Sequence, residues 1–160
     1  MKWLVFSDSH GNLEYMKRAV EEYRPDGVLH LGDVSRDAQR LAQLFPGLPV
    51  EGVRGNCDGM SGDAPVEREI FIGGKRLWLL HGHTYHVKWG VGMLVSEARA
   101  RGVDAVLFGH THQPLCYREG RLWVVNPGTV SGRPRATCSV IEKKGEELDC
   151  RTAVLSGGQG

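Results

Sequence analysis

The stretch Trp3-Leu4-Val5-Phe6-Ser7-Asp8-Ser9-His10-Gly11-Asn12 decides the fold. Four apolar residues stop abruptly in a polar run, and a short unbroken apolar segment bounded in this way reads as a buried strand. Just beyond it Leu13, Met16, Val20 and Tyr23 recur at i, i+3, i+7 and i+10, the stripe of an amphipathic helix, with Asn12 available as N-cap and Pro25 past its end. A second apolar run, Val28-Leu29-His30-Leu31, follows and ends in Gly32-Asp33. Strand, helix and strand make one βαβ unit, which implies parallel pairing.

The plan continues outward from there. Pro49-Val50-Glu51-Gly52-Val53, Leu77-Trp78-Leu79-Leu80 and Ala105-Val106-Leu107-Phe108 read as further strands. Helices are expected over about residues 37–45, stopped by Pro46-Gly47, and along Val91, Leu94, Val95 and Ala98 before Gly102. After about residue 65, hairpins are expected around Gly73-Gly74, Glu119-Gly120 and Lys144-Gly145. The first half should thus be parallel and helix-crossed, the second mainly antiparallel. Two sheets packed face to face with helices outside accommodate both, because parallel strands need both faces covered. The class is α/β, with one domain over residues 1–155 and a mobile tail over 156–160.

Composition narrows the function. The 160 residues hold 20 Lys and Arg against 19 Asp and Glu, a net charge of +1. No run of like charge is present to neutralise a phosphate backbone, so long nucleic acid is excluded as a partner. No apolar stretch approaches the roughly 20 residues of a membrane span, and the first residues lack a signal-peptide pattern, so a cytoplasmic protein without a membrane partner is expected. Cys57, Cys116, Cys138 and Cys150 form no CxxC pair, which favours free thiols over a thiolate metal site.

The chemistry lies where the strands stop. The apolar runs end in Asp8-Ser9-His10, Gly32-Asp33, Gly55-Asn56-Cys57-Asp58, His81-Gly82-His83 and Gly109-His110-Thr111-His112. Measured between Asp8, Asp33, Asn56, His81 and His110, the intervals are 25, 23, 25 and 29 residues, the length of successive strand-connection units. All five segments can therefore emerge at one carboxyl edge, where open α/β sheets bind ligands. Each motif alone reads as easily as a turn or a cap. Their ordered recurrence points instead to a mixed N/O metal site with Asp8, His10, Asp33, Asn56, His81, His110 and His112 as donors. Such a set suits Mn, Ni, Fe, Co or Zn better than an all-oxygen Mg or Ca cage. Seven donors exceed the four of one tetrahedral ion and suffice for two, with a carboxylate such as Asp33 bridging.

These segments resemble the calcineurin-like metallophosphoesterases. The Gly55-Asn56-Cys57-Asp58 variant, the small size and the Asn126-Pro127-Gly128-Thr129-Val130-Ser131 loop are most similar to the YfcE-like phosphodiesterases. The resemblance implies a four-layer αββα sandwich of two packed mixed sheets flanked by helices. It implies two divalent transition-metal ions, manganese first, one on Asp8, His10, Asp33 and His112 and the other on Asp33, Asn56, His81 and His110. The implied activity is hydrolysis of a small phosphate diester by hydroxide bridging the two metals. Two alternatives stand beside it: a phosphomonoesterase or nucleotidase, and a non-catalytic protein-interaction scaffold like the retromer subunit of the same fold. The oligomeric state, a homo-oligomer included, is left open.

One position departs from the wider superfamily, which has Gly-Asn-His followed by an acid where this chain has Cys57 and Asp58. A thiol matches an oriented imidazolium poorly as a proton donor. Weak leaving-group protonation, or an acid borrowed from His83, is therefore expected. Asp58 then serves the turn or orients its neighbours. Arg36, Arg54, Arg133 and Arg135 could reach a phosphate, although any one of them reads more readily as a solvated surface charge.

Overall fold

A computed structural model describes residues 1–33, 36–55, 65–132 and 135–155. Asn56, Cys57, Asp58, Arg133 and the 156–160 tail lie outside the described residues.

Two five-stranded sheets make up the centre. The first has the order β10-β9-β1-β2-β3, from β1 (Lys2–Phe6), β2 (Gly27–His30), β3 (Val50–Gly52), β9 (Thr137–Lys144) and β10 (Glu147–Val154). The second runs β4-β5-β6-β8-β7, from β4 (Glu67–Ile72), β5 (Lys75–Leu80), β6 (Ala105–Leu107), β7 (Leu115–Glu119) and β8 (Leu122–Asn126). Helices α1 (Glu14–Tyr23) and α2 (Arg36–Leu44) cross between strands of the first sheet, and α3 (Gly92–Arg101) crosses from β5 to β6. Short 3₁₀ turns at His83–Tyr85 and Val87–Trp89 precede α3.

The unbroken apolar runs are explained by three apolar layers. Successive strand side chains point to opposite faces. Val5, Leu29, Leu77, Leu79, Leu107, Val125 and Ile141 meet between the sheets. Their neighbours Leu4, Phe6 and Val28 pack against Met16, Ala19, Val20 and Leu41 of α1 and α2. On the other side Trp78, Leu80, Val106, Phe108 and Val124 pack against Leu94 and Ala98 of α3. The molecule is a four-layer αββα sandwich.

The second half is mainly antiparallel, as expected, in the pairs β4–β5, β7–β8 and β9–β10, while β5, β6 and β8 run parallel to one another because α3 and then the β7 hairpin return the chain to the same starting edge. The last hairpin joins the other sheet, where β9 pairs antiparallel with β1. One sequence expectation is corrected. The first helix begins one residue late, with Leu13 at the N-cap position, although Asn12 Oδ1 still accepts the Glu14 N–H at 3.1 Å.

Candidate metal centre

The loops after β1, β2, β5, β6 and β8 converge on one edge and are tied to one another by backbone bonds. Asp8 N donates to Gly32 O at 2.9 Å, Gly109 N to His81 O at 2.9 Å and Val130 N to Ser7 O at 3.1 Å, the last joining the two sheets. Two glycines allow this closeness. A Cβ on Gly55 would stand 2.3 Å from Asp33 Oδ1, and one on Gly109 would stand 2.0 Å from Ser7 Oγ.

Asp8 sits at the middle of the edge, fully buried. Its Oδ2 accepts the Ser7 hydroxyl at 2.7 Å and the His110 N–H at 3.2 Å. Its Oδ1 has no hydrogen-bond partner among the described residues. Around that oxygen stand three imidazole Nε2 atoms, of His112 at 3.2 Å, His81 at 3.8 Å and His10 at 4.0 Å. A buried carboxylate oxygen left unbonded is costly, and nitrogen donors gathered around it are what a cation requires.

The donor atoms form two overlapping groups, Asp8 with His10 and His112, and Asp8 with Asp33 and His81, each spanning less than 4.8 Å. Asp8 is common to both. His81 is aimed into the second group from behind: its Nδ1–H donates to the Leu31 carbonyl at 2.8 Å, which turns Nε2 toward Asp33 Oδ2 at 3.3 Å. A backbone acceptor on the far nitrogen fixes ring orientation in this way at metal sites. His110 Nδ1 lies 3.2 Å from the same Nε2.

The backbone is strained where the donors sit. Of the seven non-glycine residues with positive φ among those described, five are Asp8, His10, Asp33, His110 and His112. Left-handed conformations at non-glycine residues cluster at functional sites because the surrounding structure must hold them there. Here the strain turns each donor inward just after its strand.

Charge divides the histidines into two kinds. Burial alone lowers the His81 pKa, but hydrogen bonding to Asp33 and the charges of Asp8 and Asp33 outweigh it, so the net shift is upward. His112 is raised by the Asp8 carboxylate that faces its Nε2. His110 is pushed down to about 4 by burial, His81 and Lys88, and His83 is lowered by burial, His81 and Arg54.

The structure therefore brings together Asp8, His10, Asp33, His81, His110 and His112, with the His83 ring centroid 5.7 Å from that of His81. A cavity of about 470 Å³ opens beside them, lined by His10, Asn12, His112 and Ser131. Tyr85 packs edge-on against Trp78 in the core at 5.4 Å, while Trp89 is exposed. His86 is exposed, and His30 is buried with both ring nitrogens bonded. Sequence reasoning missed Ser7, Thr129 and Lys88. The first two carry no signal beyond lying in the strand-end loops, and Lys88 follows the His81 loop by only a few residues.

Comparison with known proteins agrees with this geometry. The chain is 31% identical over 136 residues to the probable metallophosphoesterase YsnB of Bacillus subtilis, covering 81% of this chain and 75% of that protein. It is 28% identical over 156 residues to phosphodiesterase YfcE of Escherichia coli, covering 82% and 80%. The structure of Vps29 from Entamoeba histolytica complexed with zinc shares the fold, with a TM-score of 0.75 at 21% identity, over 98% of this chain and 100% of that one. Residues 1–144 match the calcineurin-like phosphoesterase superfamily domain, which holds every described donor on the edge, and the chain belongs to that superfamily.

Proposed function

We propose that the protein is a metal-dependent phosphodiesterase that hydrolyses small phosphate diesters. The observation that carries this reading is the unbonded Asp8 Oδ1 with three imidazole nitrogens around it. Asp8, His10, Asp33 and His112 would hold one divalent ion, and Asp33, Asn56, His81 and His110 the other, manganese being the first candidate. Two such ions acidify water and neutralise the oxygens of a phosphate ester. The similarity to phosphodiesterase YfcE supports the diester.

The chain's own groups do the rest. The charges of Lys88 and Arg54 reach His110 and His83, and positive charge near the site would favour an anionic ester. The cavity beside His10 and His112 is the size of a small ligand site. Burial and the charge of His81 lower the His83 pKa, which suits that ring to a hydrogen bond to the ester better than to proton donation. Cys57 takes the position of the superfamily's histidine, with Asp58 beside it. Without an imidazolium there, diesters with good leaving groups are the favoured substrates.

The test is to strip the protein with a chelator and restore Mn, Ni, Co, Fe or Zn singly. Aryl diesters, aryl monoesters and cyclic nucleotides are then assayed. Diester cleavage restored by metal supports the reading; faster monoester cleavage, or two equivalents of metal bound with no ester cleaved, would favour the nucleotidase or the scaffold instead.

A further inference from the structure

Helix α2 carries an acid on its apolar face. Asp37 lies one turn before Leu41 and is fully buried with it. Its Oδ2 accepts two hydrogen bonds, from Ser9 Oγ at 2.6 Å and from the Gly11 N–H at 2.7 Å. Those two residues stand on either side of His10. We propose that Asp37 is a positioning residue that sets His10 for cation binding by clamping the backbone before and after it. The proposal rests on the metal-centre reading above.

The direction of the hydrogen bonds supports it. The Gly32 N–H lies 3.2 Å from His30 Nδ1, and an amide can only donate, so Nδ1 accepts and the ring proton is on Nε2. That proton goes to Ser9 Oγ at 2.9 Å, and the serine's own hydrogen goes to Asp37. The chain of donors runs one way, from Gly32 through His30 and Ser9, and ends on the carboxylate. A negative charge in the first turn of a helix is favoured by the exposed N–H groups there. Its Oδ1 makes no hydrogen bond among the described residues, and Arg40 Nη1 stands 3.9 Å from it.

The clamp answers a need of the backbone. Asp8, His10 and Gly11 all have positive φ, at 56°, 48° and 86°. Non-glycine residues hold such angles only where neighbours enforce them. His10 is itself exposed, and its backbone N–H makes only a long bond of 3.4 Å to Asp33 O. The carboxylate of Asp37 binds the residues on both sides of it.

The experiment is calorimetric titration of the full chain with Mn²⁺, comparing wild type with Asp37→Ala, Asp37→Asn and Ser9→Ala, with thermal unfolding of each metal-free protein. Wild type is expected to bind two equivalents. Asp37→Ala is expected to weaken one equivalent about 10-fold or more, the range for losing a group that orients a ligand, and to leave the other nearly unchanged. Asp37→Asn keeps an oxygen where both bonds end and should restore binding to near wild type. Should Asp37→Ala fail to fold, Ser9→Ala removes one bond and should weaken the same equivalent by a smaller factor. Equal binding in wild type and Asp37→Ala, loss of both equivalents in proportion to lost stability, or an Asp37→Asn loss as large as that of alanine overturns the proposal. No binding by wild type overturns the metal-centre reading together with it, so the two failures are distinguishable.

Discussion

The Thr129 hydroxyl donates a 2.8 Å hydrogen bond to the carbonyl of Asp8, tying the loop after β8 in the second sheet to the loop after β1 in the first. Thr129 is 2% exposed and its Oγ also lies 2.9 Å from Ser131 Oγ. Asp8 is thereby fixed at its carbonyl by one sheet and at its side chain by Ser7 and His110. Replacing Thr129 by valine keeps the shape and removes the donor, leaving a buried carbonyl unsatisfied. The expected cost is about 1–3 kcal/mol, with a weaker Mn²⁺ affinity at the equivalent that Asp8 would hold, read by urea unfolding and titration calorimetry.

Gly55→Ala should disturb Asp33 directly. The new Cβ would stand 2.3 Å from Asp33 Oδ1 and 2.9 Å from the Asp33 backbone nitrogen, so both the carboxylate and the strand-end backbone must shift. Metal binding should fall sharply, and the unfolding midpoint should fall with it. Binding at wild-type strength in this variant would show that Asp33 does not need its present position.

Affinity for metal should rise with pH. A proton and a cation compete for Nε2 of His81 and of His112, and both rings are held above the usual imidazole value near 6.5. Protons must therefore be displaced through that value and above it, and affinity should climb over that window and then level. His110, at about 4, is already neutral there and adds no slope. Titrations in buffers of different ionisation heat count the protons released; a flat response contradicts the assignment.

Trp78 tests the fold apart from the site. It is fully buried, its indole N–H donates to Glu67 at 3.1 Å, and the Arg101 guanidinium lies 4.1 Å over its ring. Trp78→Ala should cost about 3–5 kcal/mol and loosen α3, yet the folded fraction should still bind metal. Denaturant unfolding with and without Mn²⁺ checks both halves of the expectation.

The sequence made the strand ends legible because a buried strand must be apolar until it leaves the core, and the first polar residue after it is then free to bind a ligand. Asp8, Asp33, His81 and His110 were visible for that reason. The pairing of β9 with β1 was not, since nothing local to residues 137–144 says which of two sheets they join. The parallel alignment of β6 and β8 was hidden for the same cause: a hairpin pattern reports its own turn and not its neighbours. Asp37 left a faint trace, a carboxylate four residues before Leu41 on the buried face of α2, and its partners lie far away in sequence at Ser9 and Gly11.

Occupancy of one edge of the sandwich by two cations that both serve ester hydrolysis is tested most directly by adding Mn²⁺ stepwise to chelator-stripped protein while following bound metal and aryl diester cleavage in the same sample. The rate should stay low through the first equivalent and rise with occupancy of the second, then reach a plateau. Full activity at one equivalent, or two equivalents bound with no diester cleaved, would contradict the account.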